Sequence, residues 1–138
     1  MFSIVNAWLL RQLPLKDPQR LVAVWRTQRS NPHQPAFFDL YRDYLIWVTE
    51  NHSFRSMAAM FEQSYALTGT GEPKQLHGSV ATWNLFQTVG VEAELGRVFV
   101  AEDSQGEPAC VISHALWVEQ FHSAPNIVGQ SITLNRKL

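Results

Sequence analysis

The residues able to do chemistry are scattered, and their spacing rules out most reactions they could serve. Histidines stand at positions His33, His52, His77, His114 and His122. A structural or catalytic metal site needs several His, Cys or carboxylate ligands at short, regular spacings. None of the five has such neighbours. His114 and His122 fall about two turns apart on one predicted helix, too far to share an ion directly. His77, in a predicted strand, reads as a surface or turn-facing side chain before it reads as a general base. Asp39 and Asp43 lie one helical turn apart and could form paired carboxylates, but Arg42 beside them makes a solvated, charge-balanced face the simpler reading. Ser113 and His114 have the composition of half a nucleophilic triad. Sequence neighbours seldom face each other, and no G-x-S-x-G elbow surrounds them.

The glycine-rich stretch "GTGEP" has no Lys-Ser or Lys-Thr after it and leads into a strand, so it cannot cradle a phosphate at a helix N-terminus. "AEDSQGEP" carries acids without the spacing of a calcium loop and reads as a solvated loop. Cys110, the single cysteine, lies in the apolar run Ala109–Ile112. It reads as a small buried hydrophobe, since a reactive thiol needs an electropositive, partly exposed setting. No catalytic, cofactor-binding or metal-binding residue is nominated. The balance favours a binding or force-transmitting module over an enzyme, and an enzyme would have to rest on His77 or His114.

Composition bounds the elements that position these residues. The 138 residues make one compact domain or slightly more. A hydrophobic fraction of 46% against 17% charged residues excludes a disordered chain. The formal net charge of -1 argues against a nucleic-acid partner, which calls for a strongly basic face. The start, "MFSIVNAWLL", is too short to span a bilayer, which takes roughly 20 apolar residues. It lacks the charged n-region and small-residue cleavage site of a signal peptide. It reads as a core helix, an interfacial helix, or the tail of a membrane helix.

Beyond Pro14, Asp17 and Pro18, "LVAVWR" (21–26) reads as a strand and "TQRSNPHQP" as a polar loop. Tyr41, Tyr44, Leu45 and Val48 recur with Phe37 at helical spacing, predicting an amphipathic helix over 36–50. Residues 56–67 and 74–81 alternate and predict an antiparallel hairpin across "TGTGEP". Thr82 is placed to cap a short helix ending at Gly90. Residues 109–112 read as a strand. Ser113 caps a helix over 114–122, with Trp117, Val118 and Phe121 as its buried stripe. "SITLN" begins a last strand. The order predicts an α+β fold: a split-βαβ-like first part and then a small βαβ unit, incomplete at the C-terminus.

One phrase, "ATWNLFQTVGVEAELGRVFVAED" (81–103), is well formed yet holds no reactive group. Its pieces Asn84-Leu85-Phe86, Val89-Gly90-Val91, Gly96-Arg97-Val98-Phe99 and Glu102-Asp103 resemble a signature of the MacB-like periplasmic core domain. That domain belongs to ATP-binding-cassette (ABC) transporter permeases with an FtsX-like membrane part. "FSIVNAWLLRQLPLKDPQRLVAVW", "NHSFRSMAAM", "LTGTGEPKQLHG", "VISHALWVEQF" and "NIVGQSITLN" resemble further family segments in the same order. The chain departs from the family in having Gln12 where many members have proline.

The resemblance implies that residues 1–15 are the end of a truncated membrane helix with its exit segment. Residues 16–138 would be part of the periplasmic core domain. It further implies no cofactor, a separate ABC ATPase, a periplasmic adaptor protein or cargo, a permease homodimer, and a bacterial inner-membrane location with this segment mainly periplasmic. Phe86 and Phe99 would anchor the phrase by packing. The rival reading is a stand-alone soluble α+β domain that binds a ligand or protein, with residues 1–10 in its core.

Overall fold

Along Met60–Thr68, apolar and polar residues alternate, and the chain folds that alternation into strand β4. Lys74–Ala81 forms β5 and pairs with β4 antiparallel, from Met60 opposite Ala81 to Leu67 opposite Lys74. Gly69, at φ +86°, opens the turn with a conformation that costs glycine little. Thr133–Arg136 forms β6 on the other side of β4, giving the order β5-β4-β6. This register puts Phe61, Tyr65, Leu67, Leu76, Val80 and Leu134 on one face of the sheet. Leu67, in the central strand, is 1% exposed and marks the centre of the core. The opposite face carries Glu62, Ser64, His77 and Ser79.

The computed structural model describes residues 2–5, 15–28, 31–35, 40–69 and 72–136. These divide into two units. The first takes the described residues up to Met57 together with Phe86–Val91, and the second takes Ala58–Leu85 and the residues from Glu92 onward.

In the first unit, β1 (Phe2–Val5), β2 (Ala23–Gln28) and β3 (Asn31–Pro35) form an antiparallel sheet in that order. Strand β1 corrects the helical readings of the chain start over those four residues. Phe, Ile and Val favour a pleated surface, and pairing with β2 satisfies their backbone groups. Residues 6–14, where the exit segment was expected, lie outside the described residues. Strand β3 corrects the polar-loop reading of 27–35: a register shift at Thr27/Gln28 lets the chain reverse and pair despite two prolines.

Helix α1 (Leu40–Thr49) falls within the predicted 36–50, of which 36–39 lie outside the described residues. Its apolar stripe is not the expected one. Tyr41, Leu45 and Val48 are exposed, whereas Asp43, Tyr44 and Trp47 are half-buried. Tyr44 Oη donates to the Met57 carbonyl at 3.3 Å, which holds that side of the helix inward.

In the second unit, α3 (His114–Phe121) follows the sequence reading, but Ala109–Ile112 is irregular, not a strand. No βαβ unit therefore forms, because β6 pairs with β4 antiparallel instead of beside a strand at 109–112. The split-βαβ reading of the first part is also corrected, since β2 and β4 belong to different sheets. The α+β class stands. Val118 is 41% exposed, and the half-buried positions of α3 are Leu116, Trp117, Gln120 and Phe121.

Candidate functional site

The phrase 81–103 is held by backbone geometry and short polar ties. At its start, the Thr82 hydroxyl accepts from the Ala59 N–H at 3.1 Å, and Thr82 N–H donates to the Ala59 carbonyl at 2.9 Å. Thr82 thus fastens the phrase to the chain entering β4. It does not cap the following helix with its side chain, as its position suggested. Helix α2 (Leu85–Val89) is entered instead through a turn, with Leu85 N–H on the Thr82 carbonyl at 3.1 Å.

Gly90 ends α2 at φ +72°, and Val91 N–H then returns to the Phe86 carbonyl at 3.0 Å. This is the left-handed termination that glycine supplies. A second constraint acts at the same position: a Cβ on Gly90 would lie 2.5 Å from Cβ of Lys16. In the same unit, the Ser56 and Thr88 hydroxyls are 2.7 Å apart and tie α2 to the segment after α1. Phe86 and Phe99 are both half-buried.

The end of the phrase, in the second unit, is a charged clamp. Gly96, at φ +73°, places the backbone against Val128, whose methyls would meet an added Cβ at 3.1 Å. Arg97 then donates through Nη1 to Asp103 Oδ2 at 2.6 Å and through Nη2 to Oδ1 at 2.7 Å. The Asp103 carboxylate also accepts the Val100 N–H at 2.8 Å, closing the 3₁₀ turn Ala101–Ser104. These bonds favour the charged carboxylate, chiefly the guanidinium of Arg97 and then the Val100 N–H, and hold Asp103 at a pKa of about 2. The Arg97 pKa is raised by the same hydrogen bond. Asp103 is therefore a structural tie, while the other residues of "AEDSQGEP" are exposed, as a solvated stretch should be. Both clamp residues stood in the sequence phrase. Their pairing was missed because the turn that brings them together is irregular.

His52, His77, His114 and His122 are exposed. His33 lies in β3 and its side chain is outside the described residues, as is the whole of Asp39. Among the described residues, no three His, Cys, Asp or Glu side chains converge as a metal site would require. His114 Nε2 is 3.9 Å from Glu94 Oε2 with both side chains exposed, so the pair is screened and forms only when the imidazole is protonated. Ser113 Oγ accepts the Leu116 N–H at 3.2 Å, which makes it a helix cap and not a nucleophile aimed at His114.

Cys110 is exposed, correcting the buried reading, and partial burial pushes its thiol pKa up, away from the reactive thiolate. An open polar concavity on the hairpin is lined by Glu62, Ser64, His77 and Ser79, among others. It offers hydrogen-bonding groups without an oriented acid–base pair.

Within each unit the phrase carries local ties, Ser56–Thr88 in the first and Thr82–Ala59 and Arg97–Asp103 in the second, and no reactive group is oriented by them. The chain matches the MacB-like periplasmic core domain over residues 1–138 and belongs to that family. It is thus a periplasmic domain of an ABC-transporter-type permease, a component that works with an ATPase. No curated protein and no solved structure matches the chain. Among the described residues no helix is long and apolar enough to cross a membrane.

Proposed function

We propose that this chain is a non-catalytic element that couples movement of permease membrane helices to a periplasmic adaptor protein or to cargo. The observation that carries the reading is the family match across residues 1–138. The internal ties of the 81–103 phrase support it, because a part that relays displacement needs rigid segments. In this reading residues 16–138 belong to the periplasmic core domain, and residues 1–15 lead toward the membrane. The assembled permease is a homodimer in the bacterial inner membrane, and a separate ABC ATPase supplies the energy. The side chains of this segment bind and position; none forms or breaks a bond.

The test is amide hydrogen exchange on the complete transporter in lipid, free of nucleotide and then trapped with ATP and vanadate. Coupling predicts altered exchange within 81–103 between the two states. Identical exchange throughout this chain, with the ATPase demonstrably trapped, contradicts it.

A further inference from the structure

The chain crosses between its two units more often than connecting them requires. It leaves the first unit after Met57, returns to it for Phe86–Val91, and re-enters the second at Glu92. Among the described residues there are thus three crossings, at 57/58, 85/86 and 91/92, where one would connect the units. Six residues, most of α2 and the Gly90 turn, are donated to the first unit by a stretch of chain that otherwise belongs to the second.

The donated piece is lightly held. Helix α2 has five residues and none of them is fully buried. An isolated helix needs roughly 12–15 residues to persist in water, so α2 depends on being docked. Its ties within the first unit are small. The Ser56 and Thr88 hydroxyls, 2.7 Å apart, are exposed. The Gly90 backbone lies close on Lys16, where an added Cβ would stand 2.5 Å from the Lys16 Cβ. Neither tie involves a buried charge, so both can open into water. The flanks, by contrast, are fastened inside the second unit. Thr82 is bonded to Ala59 on one side, and on the other Gly96 lies against Val128 and Arg97 grips Asp103. Residues 92–96 are irregular and mostly exposed, which leaves slack before that second anchor.

We propose that Phe86–Val91 is a detachable clasp, leaving the first unit as one cooperative piece while both sheets stay folded. Detached, it becomes a loop of the second unit anchored at Thr82 and Arg97, and the crossing at Met57/Ala58 is the one that remains. Docked, it adds the other two. Local opening is easiest where few buried apolar groups and exposed hydrogen bonds hold a segment, as here. The clasp is a property of this chain whether or not it serves a transporter.

The test is amide exchange of the whole chain in rising urea below the unfolding transition. The amides of Phe86–Val91, including Val91 on the Phe86 carbonyl at 3.0 Å, should share one opening constant and one urea dependence. Those of β2 and β4 should stay protected meanwhile. Ser56→Ala removes the hydroxyl pair and should speed exchange over 86–91 about two- to tenfold, with β4 unchanged. Ser56→Cys with Thr88→Cys, in a Cys110→Ser background, closes the clasp with a disulfide. It should slow exchange over 86–91 about tenfold or more until reductant is added. Should that disulfide not form, Ser56→Ala decides. Graded constants across 86–91 mean fraying from an end and overturn the proposal. So does opening of 86–91 only together with β2 or β4, unchanged exchange in Ser56→Ala, or a formed disulfide that slows nothing.

Discussion

Arg97 and Asp103 grip each other through two parallel hydrogen bonds of 2.6 and 2.7 Å, and the same carboxylate holds the Val100 N–H at 2.8 Å. Folding moves the Asp103 pKa from its ordinary 3.8 down to about 2. A carboxyl with a depressed folded-state pKa contributes stability above its unfolded value and loses it as pH falls through the folded one. Asp103→Asn should therefore be less stable than wild type at neutral pH. The gap should close between 3.8 and about 2. Urea unfolding at pH 7 and at successive acid values measures it. Parallel pH profiles for the two proteins would remove the clamp from the account.

Gly90→Ala tests the close approach at the end of α2. A left-handed non-glycine residue costs roughly 1–2 kcal/mol. Here the new methyl must also displace Lys16, whose Cβ would be 2.5 Å away. Destabilisation beyond that backbone cost is expected in urea unfolding. Lys16→Gly in the Gly90→Ala background should recover part of it. No recovery would mean that the contact contributes nothing.

Ser113→Ala should weaken α3 by about 1 kcal/mol, the usual cost of losing an N-cap hydroxyl. Ser113→Asp should retain most of the cap. Exchange rates of the α3 amides, led by Leu116, report it directly. Equal protection in the alanine variant would show that tertiary packing alone holds the helix.

Trp117 Nε1–H donates to the Ala124 carbonyl at 3.0 Å and pins the turn where His122 and Ser123 take φ +51° and +54°. Trp117→Phe keeps a ring and removes the donor. The expected loss is about 0.5–1.5 kcal/mol, with faster exchange at Ser123 and Ala124. A fully neutral substitution would show that the turn is fixed by backbone alone.

The hairpin β4–β5, the helices α1 and α3 and the Ser113 cap were legible because each is specified locally, by period or by one capping side chain. What failed was non-local. Nothing in "TQRSNPHQP" announces β3, since its pairing with β2 depends on a register shift that only the folded neighbour provides. Residues 109–112 carry strand-forming types, yet they remain irregular, and the strand beside β4 on the side away from β5 is β6. The stripe of α1 was legible only at Tyr44, which turns inward toward the Met57 carbonyl; Trp47 is half-buried where Tyr41, Leu45 and Val48 were expected to be, because helical period alone does not fix which side is covered. The 81–103 phrase was readable as scaffold because it lacks reactive groups, but its Arg97–Asp103 pairing depends on a turn with no periodic signature.

The central claim is that this chain works outside the cytoplasm as part of a permease. Cys110 is the single cysteine of the sequence and is exposed, so it can report location without an engineered probe. Cells expressing the protein from its own gene are treated with a membrane-impermeant maleimide at mildly alkaline pH, which offsets the raised thiol pKa. The account predicts labelling in intact cells that disappears in Cys110→Ser. Labelling of Cys110 only after the inner membrane is broken would contradict it.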